Sequence, residues 1–284
     1  MSVLVTGARG RVATALLALL HDAGIEARAA SKKPGDLSPP PGVEAVHCDL
    51  AEPDSFDGAL AGVDAVFLYA EPSHIDAFTA RARAAGVEHV VLLSSSAVLA
   101  PDAADSPIAA SHLAVERALE AAAADGSFEA THLQPGAFAT NALGWIPAIR
   151  GTGVVELPYP GAHTDPIHER DVAEAAFAVL TEPKLRGSSY LLTGPQSLTF
   201  AEQLATLAHV TGRRIETRAQ TPAEWRAAVA PYIPGRFADA LLRYWADHDG
   251  APVTTTGTVE ELTGHPARTF TTWATDHAAA FAPA

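Results

Sequence analysis

Apolar residues along this chain fall into short runs separated by amphipathic stretches. Val3–Val5, Glu26–Ala30, Glu44–Cys48, Ala65–Tyr69, His89–Ser94 and Ala130–Leu133 are apolar or β-branched runs, the texture of strands covered on both faces. Between them, Val12–Ala23, Ser55–Leu60, Ile75–Ala85 and Leu113–Ala124 repeat apolar positions at helical spacing. Gly24, Gly62, Gly86 and Gly126 close several of these units, where a left-handed helix cap is wanted. The alternation predicts an α/β fold: a parallel sheet with helices on both faces and all strand C-termini along one edge.

The texture changes after about residue 136. Residues 144–168 are rich in Gly and Pro and read as loop, with a short strand near Val154–Leu157. A helix over Asp171–Leu180 and a strand over Ser189–Thr193 follow. Three helix starts then appear as capping boxes: Thr199 with Glu202, Thr221 with Glu224, and Thr258 with Glu261. The expected organisation is a core over residues 1–195 and a small, mainly helical lobe over 196–284 whose last helix returns to the core.

The chemistry begins where the first strand ends, at Thr6-Gly7-Ala8-Arg9-Gly10-Arg11-Val12-Ala13. A backbone that approaches a pyrophosphate needs residues without side chains at the bend and at the point of contact. Gly7 and Gly10 answer those needs, and Ala13 lets the helix lie close to the strand. The helix that follows offers free N–H groups and the positive end of its dipole. In this context, after a strand and opening a βαβ unit, the pattern predicts a Rossmann-type dinucleotide site at Thr6, Gly7, Arg9, Gly10, Arg11 and Val12.

The end of the second strand bears on which dinucleotide. An acid there would accept from the ribose hydroxyls of NAD, but the chain has Ser31-Lys32-Lys33-Pro34 and no acid before Asp36. Lys32 and Lys33 are two of only three lysines, the third being Lys184. Hydroxyl and ammonium donors suit a ribose 2′-phosphate, so Ser31 and Lys32 point to NADP(H) in preference to NAD(H). Three further strand ends complete the expected groove. Asp49 accepts from the adenine amino group while Leu50 covers the ring. Tyr69 and Ala70 lie along the ribose and nicotinamide, and Ser94 opens the Ser94-Ser95-Ser96 loop.

Composition narrows the partners. The formal net charge of −14 supplies no basic face for nucleic acid or an acidic membrane surface. One cysteine, Cys48, allows no intrachain disulfide and no cysteine zinc cage, and the 12 histidines show no helical ligand spacing, so no metal is expected. No apolar run approaches the ~20 residues of a membrane span. With a strand directly at the N-terminus the chain reads as cytoplasmic. The partner expected is a small molecule, and the sequence says nothing of oligomeric state.

The sequence also resembles the NmrA-like branch of the atypical short-chain dehydrogenases/reductases over essentially its whole length. The likeness rests on Val5-Thr6-Gly7-Ala8-x-Gly10, Ser31-Lys32-x-Pro34, Gly62-Val63-Asp64-Ala65-Val66-Phe67-Leu68 and Gly86-Val87-x-His89-Val90-Val91. It continues through Gln134-Pro135-Gly136-x-Phe138-x-x-Asn141, Arg170-Asp171-Val172-Ala173 and Tyr190-x-Leu192-Thr193-Gly194-Pro195. The resemblance implies NAD(P)H binding, with Pro135 beside the cofactor, and a reductase or a dinucleotide-binding regulator. Two departures stand out. The usual Arg before Pro-Gly is Gln134, and no tyrosine is followed four residues on by lysine, so the Tyr-x-x-x-Lys dyad of other short-chain dehydrogenases is missing.

Where that dyad would fall, at the expected helix start, the chain has His112-x-x-x-Glu116. His112 is the candidate proton donor, set against a merely structural or cofactor-contacting histidine. Ser95 is a second candidate, as a donor to a substrate oxygen, set against a serine that satisfies turn amides. Phe138, Asn141, Trp145 and His168 are expected to roof a flat substrate, set against ordinary packing. The function expected is NADPH-dependent reduction of a flat conjugated molecule such as a quinone or enone, which needs little acid help because charge spreads over the acceptor. The alternatives are a non-catalytic NADP(H) sensor and an isomerase, epimerase or cyclase on the same scaffold.

Overall fold

The computed structural model describes residues 1–282. Its first half runs β1 (Ser2–Val5), α1 (Arg11–Asp22), β2 (Glu26–Ser31), β3 (Glu44–His47), α2 (Phe56–Leu60), β4 (Ala65–Tyr69), α3 (Ile75–Ala84), β5 (His89–Leu93), α4 (Pro107–Ala123) and β6 (Glu129–Pro135). The second half adds α5 (Ile146–Gly151), β7 (Val154–Leu157), β8 (His163–Thr164), α6 (Glu169–Thr181), β9 (Ser189–Leu192), β10 (Leu198–Thr199), α7 (Phe200–Thr211) and β11 (Glu216–Ala219). It closes with α8 (Pro222–Val229), α9 (Gly235–Asp247), α10 (Thr258–Thr263) and α11 (Phe270–Asp276).

Seven strands form one parallel sheet in the order β3-β2-β1-β4-β5-β6-β9. Its two faces bury separate cores, as the apolar runs require. Leu16, Leu20, Val172, Ala176 and Val179 of α1 and α6 cover Val3, Val5, Phe67 and Leu133 on one face. Phe56, Phe78, Val115 and Leu119 of α2, α3 and α4 cover Leu4, Val66, Leu68 and Leu92 on the other. The helix-closing Gly24, Gly62, Gly86 and Gly126 all have positive φ, between 67° and 81°, which a side chain would strain. The exception to double coverage is β3, an edge strand whose Glu44, Ala45 and His47 are exposed.

A third core gathers Ile149, Val155, Leu157, Phe200, Leu204, Leu207, Phe270 and Trp273. The lobe therefore draws on residues 139–162 as well as on the segment after 195. It is not purely helical. β11 pairs in parallel with β7, and β10 pairs antiparallel with β8. The capping boxes at Thr199–Glu202 and Thr221–Glu224 form as expected. Thr258 does not make one, because Gly257 takes the cap position and Thr258 is already the first helical residue.

Two helix assignments also change. The segment 146–151, expected as loop, is helical: Pro147 lies in its first turn, where no N–H is needed, and Ile149 is buried. α4 begins at Pro107 behind Ser106, so His112 lies inside the helix and not at its start. The apolar period shows only from Leu113 because most of the first turn is only part-covered.

Candidate functional site

Strand order reverses about β1 and β4, and the loops after their C-terminal ends open a crevice there, the expected ligand position in such sheets. Thr6 binds the two strand ends together. Its N–H and Oγ1 donate to the Phe67 carbonyl at 2.9 and 3.1 Å, and Oγ1 accepts the Tyr69 N–H at 2.7 Å. Gly7 turns with φ 61°, and a Cβ there would lie 3.4 Å from Cβ of Tyr69. Gly10 caps α1 with extended backbone and no side-chain cap, and the first turn of the helix carries no acid. The leading amides of α1 thus face the crevice without a protein side chain on them.

The crevice is a cleft of about 510 Å³. Thr6, Gly7, Arg9, Gly10, Arg11 and Val12 line it from the glycine turn, Ser31 and Lys32 from the end of β2, and Asp49, Leu50 and Tyr69 from the ends of β3 and β4. The set fits a dinucleotide: helix amides for the pyrophosphate, a hydroxyl and an ammonium at one end, an aromatic ring at the other. The Asp49 carboxylate accepts the Ala51 N–H at 3.0 Å, which orients it at the rim. Ala70 lines neither this cleft nor the next cavity; it packs against the Leu4–Phe56 core.

Tyr69, Leu93 and Phe138 are shared with a second cavity of about 220 Å³, also lined by Ser94, Ser95, His112, Pro135, Gly136, Ala137 and Asn141. Asp165 shapes its wall: Oδ1 accepts the Ala137 N–H at 2.9 Å, and the carboxylate leaves no room for a side chain at Gly136. Ser95 Oγ accepts the Ala97 N–H at 3.2 Å and caps the short 3-10 turn over Ser96–Leu99. Burial lowers the pKa of His112 against the opposing charge of Glu116, so a neutral imidazole faces the cavity near pH 7. At Gln134 the amide Nε2 donates to Glu116 Oε1 at 2.9 Å, an uncharged donor where the resembling family places a cation.

Two expected substrate residues lie elsewhere. Trp145 stands edge-on to Phe200 at 5.9 Å, and Phe200 meets Trp245, which meets Trp225, so Trp145 belongs to an aromatic chain inside the lobe. His168 is 1% exposed and caps α6, with Nδ1 accepting the Arg170 N–H at 3.1 Å and Nε2 3.3 Å from Asp276.

Sequence reasoning missed Glu169, which lines the cofactor cleft although 108 residues separate it from its partner His277. Its Oε1 meets His277 Nε2 at 2.6 Å and its Oε2 accepts Trp273 Nε1–H at 3.0 Å. Burial opposes its charge, but the hydrogen bonds around it and the neighbouring His168 and His277 imidazoles hold its carboxyl below the usual range. Only the neighbouring His168-Glu169 pair before a helix signalled it. Asp171, Glu174 and His265 also converge nearby, with Arg268 bonded to both carboxylates as the cation among them.

Comparison with known proteins gives the family. A profile of the NAD(P)H-binding family matches residues 7–183, from the glycine turn to the end of α6. The chain belongs to that family. It is also 32% identical over 235 residues, 71% of this chain and 70% of the other, to a nitrogen metabolite regulation-like protein of Gibberella fujikuroi, which places it in the NmrA-like branch. Among full-length relatives, a (4-alkanoyl-5-oxo-2,5-dihydrofuran-3-yl)methyl phosphate reductase of Streptomyces griseus is 38% identical, covering 99% of each chain. An NAD(P)H azoreductase of Xenophilus azovorans is 33% identical, covering 99% of this chain and 100% of its own. The fold matches Citrobacter triphenylmethane reductase, solved with NADP(H), at TM-score 0.77 and 23% identity, over 98% of this chain and 100% of that one. An NADPH-dependent quinone oxidoreductase of Escherichia coli matches at TM-score 0.79 and 24% identity, over 97% and 99%. This member of the family is an NAD(P)H-dependent oxidoreductase. No helix among its described residues is long and apolar enough to cross a membrane.

Proposed function

We propose that the chain is an NADP(H)-dependent reductase that delivers hydride to a flat, conjugated small molecule such as an enone or quinone. The observation that carries this reading is the adjacency of the two cavities, which share Tyr69, Leu93 and Phe138. Across the shared Tyr69–Leu93–Phe138 wall from the cofactor cleft lies a second, smaller space whose lining residues carry no charge at neutral pH once His112 is neutral, the Asp165 carboxylate standing behind Gly136 and Ala137. With the adenosine at Ser31 and Lys32 and the pyrophosphate at Gly10, the nicotinamide extends toward that wall.

When bound, the cofactor supplies hydride. The protein holds it rigid and presents the flat face of the substrate to it beside Tyr69 and Phe138. No Tyr/Lys pair is needed for an acceptor that spreads its own charge. The Streptomyces griseus relative fits this class, since its named substrate is a ring ester whose double bond is conjugated with carbonyl groups. Ser31 and Lys32 favour the 2′-phosphate of NADP(H).

The test is loss of NADPH absorbance with a panel of quinones, enones, azo dyes and simple ketones. Turnover of conjugated acceptors and not of simple ketones supports the proposal. No turnover with any of them, while NADPH still binds, would replace it with cofactor sensing.

A further inference from the structure

Six buried side-chain atoms lack a hydrogen-bond partner among the described residues: Ser2 Oγ, His89 Nδ1, Ser94 Oγ, His112 Nδ1, His132 Nε2 and Arg186 Nε. Such groups are costly and rare, so each asks for a reason. Two of the six, Ser94 Oγ and His112 Nδ1, belong to residues that line the same small cavity, and none of the other four residues lines either cavity. Ser94 is only 3% exposed, and its backbone N–H already donates to the Leu133 carbonyl at 2.8 Å, so only the hydroxyl is unspent. They reach the cavity from different elements, Ser94 from the end of β5 and His112 from α4. The neighbouring Ser95 is not equivalent, because its Oγ is engaged by Ala97.

We propose that Ser94 and His112 form a two-donor pocket for one substrate oxygen, which selects acceptors whose double bond is conjugated with a carbonyl group. The inference rests on the reductase reading and narrows it. In the step, the β-carbon of the acceptor accepts hydride, the C=C pair moves to form the enolate double bond, and the carbonyl pair moves onto oxygen. Ser94 Oγ–H and the Nδ1–H tautomer of His112 donate to that oxygen as its charge grows. The enolate α-carbon then takes a proton from water, and the oxidised cofactor leaves. Because burial keeps the imidazole neutral, His112 stabilises charge by hydrogen bonding and does not surrender a proton. This gives it a different role from the proton donor expected of the sequence.

The first readout needs no turnover. 4-Nitrophenol, titrated by absorbance on the NADP⁺-loaded protein, reports whether the site prefers an oxyanion to its neutral form. Wild type should lower the apparent pKa of the bound phenol, and Ser94→Ala and His112→Phe should each cut the preference for phenolate about tenfold. In the second readout, Ser94→Ala should reduce kcat for an enone about a hundredfold with unchanged affinity for NADPH. Reduction of a cationic triarylmethyl dye, which develops no oxyanion, should fall far less than that. His112→Phe, on a separate helix, guards against misfolding at β5, and thermal unfolding monitors both variants. An undisturbed phenol pKa in wild type, variants that keep the shift, or equal losses with enone and dye would overturn the proposal. A phenolate preference in a protein that reduces no acceptor would instead overturn the reductase reading and leave the donor pair standing.

Discussion

Replacing Gly10 with alanine separates what the glycine turn does for the fold from what it does for the cofactor. Gly10 has φ −72° and ψ 149°, which any residue adopts, so alanine brings no backbone strain. Its Cβ would meet one atom, the Gly7 carbonyl oxygen, at 3.2 Å, a contact relieved by a shift of a few tenths of an ångström. The remaining cost is that of a poorer helix cap, about 1 kcal/mol, or roughly 2–4 °C in Tm for a chain of this size. The cofactor meets a harsher effect. A methyl group stands where the pyrophosphate must approach the leading amides of α1, and displacing it loses at least one charge-assisted hydrogen bond. That is about 1.5–3 kcal/mol, or roughly ten- to a hundredfold in Kd. Gly7→Ala should behave in the opposite proportion, since φ 61° costs a side chain about 1–2 kcal/mol of stability. Calorimetric titration with NADPH beside thermal unfolding measures both quantities for each variant. If Gly10→Ala binds NADPH as wild type does, the turn is structural and the pyrophosphate lies elsewhere.

Lys32→Ala should weaken NADPH about tenfold or more and leave NADH almost unchanged in a fluorescence titration; equal losses would remove the 2′-phosphate from Ser31 and Lys32. Arg268→Met strips a fully buried Asp171 of its partner and also releases Glu174, so stability in urea should fall by about 3–5 kcal/mol, and a loss below about 1 would show that the tie carries no weight. His89, whose pKa burial drives down to about 4, stays neutral in the fold while the unfolded chain takes up a proton below about 6.5. Its share of stability is therefore complete above that pH and declines as pH falls toward 4, by about 2 kcal/mol at pH 5. His89→Gln should flatten the change in urea midpoint between pH 8 and pH 5, and an equally steep decline in the variant would assign the effect to other groups.

What the sequence determined by itself was local. Strand runs, helix periods, left-handed glycines and two of three capping boxes are short-range rules, and each acts within a few residues. The glycine turn belongs with them, because its conformation and the free amides behind it follow from consecutive residues. Edge and interior were less legible: β3 carries Glu44 and His47 around Ala45 and Val46, and its place at the end of the sheet order leaves it exposed. The smaller cavity was decided by tertiary structure alone. Ser94 and His112 reach it from the end of β5 and from α4, and only the packing of that helix on the sheet brings them to one space. Whether Trp145 and His168 face a ligand or a neighbour depends on Phe200 and Asp276, residues 55 and 108 positions away, brought up only when the lobe folds back on the core. Glu169 enters the cleft for the same reason, since the tryptophan and histidine bonded to its carboxylate come from α11 and the residue after it.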